Sequence, residues 1–234
     1  MQAEKVGYAL CVSVTLDKFP EVLALAEQYD NFYASVGVHP DYEDIEEPSV
    51  DALVRLANHP KVVAIGETGL DYFRLTGDLE WQRERFRAHI RAAILAKKPL
   101  IIHTRSAAED TLRIMREEGA AQIGGVMHCF TESLEVALAT ISMGFYISFS
   151  GIVTFKNAVQ LKEVAQKIPL DKMLVETDSP YLAPVPFRGK INQPAYVKYV
   201  AQEIANLRGI SLDEVMQATT ANFFHLFSAA KSCN

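Results

Sequence analysis

The sequence has few cysteines and no long apolar run. Its three cysteines, Cys11, Cys129 and Cys233, are odd in number and widely spaced, which argues against a disulfide framework and for a reducing compartment. No apolar run approaches the ~20 residues that a membrane-spanning helix requires. The N-terminus also lacks the basic-then-apolar order of a signal peptide. We therefore expect a cytoplasmic protein that does not bind a membrane.

An excess of positive charge is also missing. The 23 lysines and arginines are outnumbered by 29 aspartates and glutamates, and the net charge is −6. This composition gives no support for non-specific nucleic-acid binding through a basic face. If the substrate carries phosphate, bound metal and a few local cations must offset the acidic background. No linker or low-complexity stretch divides the chain, so we expect one domain over residues 1–234.

Short apolar runs alternate with helical patterns along the whole chain. The gaps between runs suit one crossover helix each, which predicts parallel strands in an α/β fold. No G-x-G-x-x-G motif follows any run, which disfavours an open dinucleotide-binding sheet. A parallel (β/α) barrel of the TIM type is favoured, although it needs eight strands and the sequence supplies seven. The seven predicted strands lie near residues 8–14, 32–38, 62–67, 99–103, 124–129, 144–149 and 172–178.

Four residues that can bind metal stand at the ends of predicted strands. Glu67, His103, His128 and Asp178 each follow an apolar run. In a parallel barrel the C-terminal ends of the strands meet at one rim, where such barrels carry out chemistry. Two imidazoles and two carboxylates on one rim predict a divalent-metal site, and the ligand types admit Mg²⁺, Mn²⁺ or Zn²⁺.

A second group of residues is expected around this site. His39 and Arg105 follow strands and are candidates to bind substrate or to orient a ligand. Glu176 shares a face with Asp178 and could orient a metal ligand, or could equally be a buried partner of a core Arg or His. Arg188 and Lys190 lie in the loop after the last strand, where they could contact a phosphate.

Cys129 adjoins His128 and has to be considered as a nucleophile or ligand. Successive strand residues point to opposite sides. If His128 faces the rim, Cys129 should face the surrounding helices. We therefore predict a structural cysteine.

Seven segments of the sequence resemble the TatD family of metal-dependent deoxyribonucleases, and the similarity runs over about residues 6–226. The matching segments are Gly37-Val38-His39-Pro40, Gly66-Glu67-Thr68-Gly69-Leu70-Asp71, Ile102-His103-Thr104-Arg105, Met127-His128-Cys129-Phe130, Gly144-Phe145-Tyr146-Ile147-Ser148, Glu176-Thr177-Asp178-Ser179-Pro180-Tyr181-Leu182 and Arg188-Gly189-Lys190-Ile191-Asn192-Gln193-Pro194.

The resemblance implies a TIM-type barrel with a two-metal centre that cleaves phosphodiester bonds in DNA, often from the 3′ end. It implies that Glu67 bridges two divalent ions, that His103 and His128 hold one ion, and that Asp178 helps to hold the other. Glu67 and Asp178 are then the candidate catalytic residues, with Asp178 taking a proton from the attacking water.

The sequence departs from the family pattern at its start. Family members begin with a strand that carries His-x-His, and no histidine precedes His39 in this chain. We therefore expect a barrel that is open beside its first strand, self-association through that edge, and weak activity. Two alternatives stay open: an amidohydrolase-type enzyme with a substrate other than nucleic acid, and an inactive barrel fragment or pseudoenzyme that binds a partner.

Overall fold

The computed structural model describes residues 1–73 and 75–231 and confirms the seven predicted strands. The strands in the described residues are β1 Ala9–Cys11, β2 Phe32–Val36, β3 Val62–Asp71, β4 Leu100–Arg105, β5 Gly125–Met127, β6 Phe145–Phe149 and β7 Met173–Val175. Their bounds differ from the predicted ones by a few residues: β3 and β4 extend beyond their predicted ends, and the other strands are shorter than predicted.

All seven strands form one parallel sheet whose spatial order follows the sequence order, from β1 to β7. Each strand therefore pairs with its sequence neighbours, as successive β-α-β units require. Within the described residues, β1 and β7 are the terminal strands and do not pair with each other. The fold is thus a TIM-type barrel with one strand missing, and the predicted opening is confirmed.

Helices cover the outer face of the sheet. Ser211 caps the N-terminus of the last of them, since its Oγ accepts a hydrogen bond from Glu214 N at 3.1 Å. None of the described helices is long and apolar enough to cross a membrane. The α-helices in the described residues are α1 Phe19–Gln28, α2 Val50–Ala57, α3 Glu80–Ala96, α4 Ala108–Glu117, α5 Leu134–Ser142, α6 Val159–Lys167, α7 Val197–Arg208 and α8 Leu212–Leu226. Short 3₁₀ helices span Gln2–Glu4, Ala120–Gln122, Gly151–Thr154, Leu170–Lys172 and Pro194–Tyr196.

Alternating side chains of the strands separate two hydrophobic clusters. Leu100 and Ile102 of β4 belong to the large cluster between sheet and helices, whereas Ile101 belongs to a smaller cluster inside the barrel. Burying each such side chain stabilises the fold by roughly 1.5–3 kcal/mol. His103 is two residues after Ile101 and points to the same side of the sheet. His128 follows β5, two residues after Val126 of the inner cluster, and points to the same side as Val126. The pattern that forms the core therefore also directs both imidazoles into the barrel.

A cavity of about 560 Å³ lies inside the barrel and borders both terminal strands. Its apolar wall includes Leu10 of β1 and Leu174 of β7, and its polar wall includes Glu67, His128 and Asp178. The opening between β1 and β7 and the predicted metal site are therefore parts of one space.

Candidate metal centre

Glu67 is the centre of the cluster. It is buried on β3, and its Oε1 lies 3.5 Å from His39 Nε2, 3.2 Å from His103 Nδ1 and 3.6 Å from His128 Nε2. These histidines follow or belong to β2, β4 and β5, which lie close to β3 in the sheet. The structure thus brings together four predicted site residues from four strands.

One ring nitrogen of His103 is hydrogen-bonded to a carboxylate that was not predicted from the sequence as a site residue. His103 Nε2 lies 2.9 Å from Oδ2 of the buried Asp71. Nδ1 of the same ring faces Glu67, so the protonated imidazole donates to both carboxylates, whereas the neutral ring with its proton on Nε2 leaves the Nδ1 lone pair for a metal ion. Strand β3 was predicted to end at Glu67 but continues to Asp71. Gly69 lets β3 and β4 approach, because a Cβ there would collide with the His103 carbonyl oxygen.

His128 repeats this arrangement on the next strand. Its Nδ1 lies 3.0 Å from Glu176 Oε2, and its Nε2 lies 3.4 Å from Asp178 Oδ1. Glu176 Oε2 also accepts a hydrogen bond from Cys129 N at 3.2 Å. The other carboxylate oxygen of Glu176 is buried and has no hydrogen-bond partner among the described residues. One imidazole nitrogen is therefore oriented by Glu176, and the other is directed at Glu67 and Asp178.

His39 differs from the other two histidines. The backbone N–H of Asp41 donates to His39 Nδ1 at 3.1 Å. In the neutral imidazole the proton then sits on Nε2, which faces Glu67 and lies 3.3 Å from His103 Nδ1. Burial lowers the pKa of His39, although the negative charge of Glu67 opposes this shift. The lowered pKa keeps the His39 ring neutral. In this tautomer His39 offers the cluster a hydrogen-bond donor, and it would ligate a metal ion through Nε2 only after this nitrogen loses its proton.

The cluster strongly favours positive charge at its centre. Burial by itself would raise the pKa of Glu67, but the charges of the histidines and the hydrogen bond from His103 lower it to about 2. Burial would lower the pKa of His103, yet its bonds to Asp71 and Glu67 raise it to about 9. Burial likewise opposes protonation of His128, while the charges of Glu176 and Glu67 raise its pKa well above the usual value. A cation is therefore stabilised where these groups converge.

Two sets of donor atoms are close enough to share a metal ion. In each set, one donor atom from each residue lies within 4.8 Å of the others. Mixed imidazole and carboxylate donors suit divalent ions such as Zn²⁺ or Mn²⁺, and the buried oxygen of Glu176 without a partner fits a missing cation. The residues present therefore fit divalent metal. The sets are His39, Glu67 and His103, and His128, Glu176 and Asp178.

The three predicted cationic residues all lie against aromatic rings. Arg105 Cζ lies 3.7 Å from the ring centroid of Phe73. Arg188 Cζ lies 4.3 Å from that of Phe155, and Lys190 Nζ lies 5.8 Å from that of Phe187. Arg105 also acts electrostatically on Asp71, so it is the cation that the structure links to the cluster.

Two sequence-based arguments are wrong in detail. Strand β7 ends at Val175, and Asp178 adopts a left-handed backbone conformation with φ of 59°. It reaches the cluster from the loop after the strand. Strand β5 ends at Met127, so strand alternation does not extend to Cys129, whose Sγ donates to Ser150 Oγ at 3.2 Å. Burial raises the pKa of the Cys129 thiol, which disfavours a nucleophilic thiolate. Cys233 lies outside the described residues.

Comparison with known proteins agrees with this geometry. The family model described as TatD related DNase matches residues 1–228. The chain is 50% identical over 225 residues to the uncharacterized metal-dependent hydrolase YcfH of Escherichia coli, covering 96% of this chain and 84% of that protein. It is 34% identical over 227 residues to the 3′-5′ ssDNA/RNA exonuclease TatD of Shigella flexneri, covering 94% and 87%.

A solved structure supports the same assignment. The crystal structure of YjjV, a TatD homologue from Escherichia coli, superimposes with a TM-score of 0.89 at 31% identity, covering 96% of this chain and 88% of that chain. The family match spans nearly the whole chain, and the residues that fit divalent metal lie within it. The chain therefore belongs to the TatD family of metal-dependent hydrolases.

Proposed function

We propose that this chain is a divalent-metal-dependent nuclease that hydrolyses phosphodiester bonds in DNA, as an exonuclease acting from the 3′ end. The observation that carries the proposal is the matched pairing of His103 with Asp71 and of His128 with Glu176. A histidine that ligates a metal through one ring nitrogen typically donates a hydrogen bond from its other ring nitrogen to a carboxylate in this way. The name of the Shigella flexneri relative supports the substrate class and the polarity.

The proposed centre would hold two divalent ions. Glu67 would contribute to both sites, His103 would belong to one of them, and His128 and Asp178 would belong to the other, as the two sets of donor atoms divide them. Such ions, when bound, supply Lewis acidity at a phosphoryl oxygen and lower the pKa of water. Asp71 and Glu176 would orient the imidazoles.

The remaining side chains would handle substrate and proton. Asp178 borders the cavity, and its side chain is 31% exposed, so its carboxylate is placed to accept the proton of the attacking water. His39 can donate from Nε2 to a phosphoryl oxygen. Arg105, Arg188 and Lys190 would contact neighbouring phosphates of the DNA strand, where their charges offset the acidic background.

The test is cleavage of single-stranded DNA labelled at its 5′ end, with Mg²⁺, Mn²⁺ or Zn²⁺ added to metal-stripped protein. A ladder that shortens from the 3′ end is expected. Glu67→Gln should reduce the rate at least about a hundredfold, because even residues that only orient metal ligands typically cost about 10- to 100-fold. Glu163→Gln, in an exposed pair with Lys167 on α6, is the matched control and should cleave normally.

Two results would contradict the proposal. One is a rate with Glu67→Gln equal to that of the control. The other is hydrolysis of a cyclic amide or ester substrate, dependent on Glu67, by protein that leaves DNA intact. The second result would favour the amidohydrolase-type reading, and inactivity on all substrates would favour a barrel that acts by binding a partner.

A further inference from the structure

An exposed aromatic ring stands beside the metal cluster without a role in the core. The Phe73 side chain is 60% exposed and belongs to neither hydrophobic cluster. The guanidinium of Arg105 lies over its ring, with Cζ 3.7 Å from the centroid. Single exposed apolar side chains are common on protein surfaces, so it is the position of this ring, beside the cluster and under the Arg105 guanidinium, that calls for an explanation.

The cluster itself fixes the position of this ring. Asp71 Oδ2 accepts the hydrogen bond of His103, and Asp71 Oδ1 accepts one from Phe73 N at 2.9 Å. Arg105 pairs with Asp71 in the register of β3 and β4, and its carbonyl oxygen accepts a hydrogen bond from Tyr72 N at 2.9 Å. Phe73 therefore lies two residues beyond Asp71, and Arg105 lies two residues beyond His103, both at the rim of the barrel.

We propose that Phe73 and Arg105 form a stacking platform for the nucleobase next to the phosphate that is cleaved, a proposal that rests on the proposed nuclease function. Every nucleobase has a π-face, so an exposed aromatic ring binds single strands with little sequence preference. The planar guanidinium can stack on a base or hold the adjoining phosphate. A duplex keeps its bases stacked on one another, so the platform selects single-stranded substrate.

Binding to a single-stranded oligonucleotide of roughly ten nucleotides tests the platform without any cleavage. Fluorescence anisotropy in the presence of EDTA would compare the wild type with Phe73→Ala and Phe73→Trp. Stacking contributes about 1–3 kcal/mol per base, so Phe73→Ala should weaken binding about five- to hundredfold. Phe73→Trp should restore it. Tyr29→Ala is the matched control, because Tyr29 is 50% exposed and precedes β2, at the opposite end of the barrel.

Removing one base at a time from the oligonucleotide locates the contact. At one position near the 3′ end, an abasic site should weaken wild-type binding by the same factor as Phe73→Ala. The same abasic site should have no effect on the Phe73→Ala variant, since the two changes remove a single interaction. Equal sensitivity of both proteins at every position would overturn the proposal.

A small diester separates this proposal from the function on which it rests. An abasic dinucleotide has a phosphodiester bond but no nucleobase or other aromatic ring, so Phe73→Ala should hydrolyse it at the wild-type rate. A parallel loss on this substrate would show that Phe73 acts on the structure of the cluster, and would overturn the platform. Base-dependent binding without DNA cleavage would contradict the nuclease function alone, and cleavage with binding insensitive to Phe73 would contradict the platform alone.

Discussion

A buried histidine on α3 provides a quantitative test of the structure. His89 is fully buried, its Nε2 accepts a hydrogen bond from Val38 N at 3.0 Å, and its Nδ1 donates to Arg85 O at 2.8 Å. A second proton on Nε2 would break the bond to Val38 and place a charge in the core. Burial therefore lowers the pKa of His89 to about 4, and the nearby Arg85 charge adds to this, although the bond to Arg85 O opposes it.

The sign of the resulting pH dependence follows from proton binding. In the unfolded chain His89 titrates near its ordinary value of 6.5, whereas in the folded protein it titrates near 4. Between these values the unfolded state binds more protons, so the free energy of unfolding falls as the pH falls. The stabilisation is fully present above pH 6.5. The shift corresponds to roughly 3 kcal/mol at most, and most of this is lost between about pH 7.5 and about pH 4.5.

Urea unfolding of the wild type and His89→Gln across this range measures the effect. Glutamine stays neutral, and its side-chain oxygen can accept the hydrogen bond from Val38 N. The free energy of unfolding that is lost through the substitution itself is therefore constant with pH. Other groups titrate in both proteins and cancel in the difference. The stability advantage of the wild type over His89→Gln should shrink by roughly 2–3 kcal/mol on acidification. Parallel stability curves would refute the argument that burial keeps His89 neutral.

Two further predictions concern the metal cluster and the open edge. Asp71→Asn should lower metal affinity about 10- to 100-fold in calorimetric titration, because it loosens His103. Asp110→Asn is the control, since Asp110 accepts from Tyr72 and Arg113 outside the cluster, and equal affinities would contradict a role for Asp71. The unpaired edges of β1 and β7 predict self-association, seen as a light-scattering mass that rises towards that of a dimer with concentration. A monomer at every concentration would contradict it.

The sequence predicted the strands well because parallel strands covered by helices are continuous apolar runs. Each run from β1 to β7 was placed, and His103 and His128 were recognised because each follows such a run directly. The ends of the runs were less predictable. A strand can continue after its apolar run stops, as β3 does to Asp71, or end with that run and before the polar residues that follow, as β7 does at Val175.

The partners of individual residues were the least predictable feature. Asp71 stands four residues after Glu67 with Gly69 between them, an alternation that could have indicated a shared strand face. The sequence does not indicate which distant carboxylate faces His39, yet β2 pairs with β3 and brings its Nε2 to 3.5 Å from Glu67. Such contacts depend on the register between strands, which composition and periodicity do not specify.

The opening in the barrel and the proposed chemistry meet at Asp178. Glu67 and Asp71 are buried between paired strands, whereas Asp178 is on the loop after β7 and borders the cavity beside the opening. Electrostatic attraction is stronger in buried surroundings than near solvent, so the side of the cluster built on β3 and β4 should bind metal more tightly than the side of Asp178. Proton transfer, however, needs a carboxylate that water can reach. In the proposed centre, the more open side of the cluster would thus be the weaker metal site and the better place for the base.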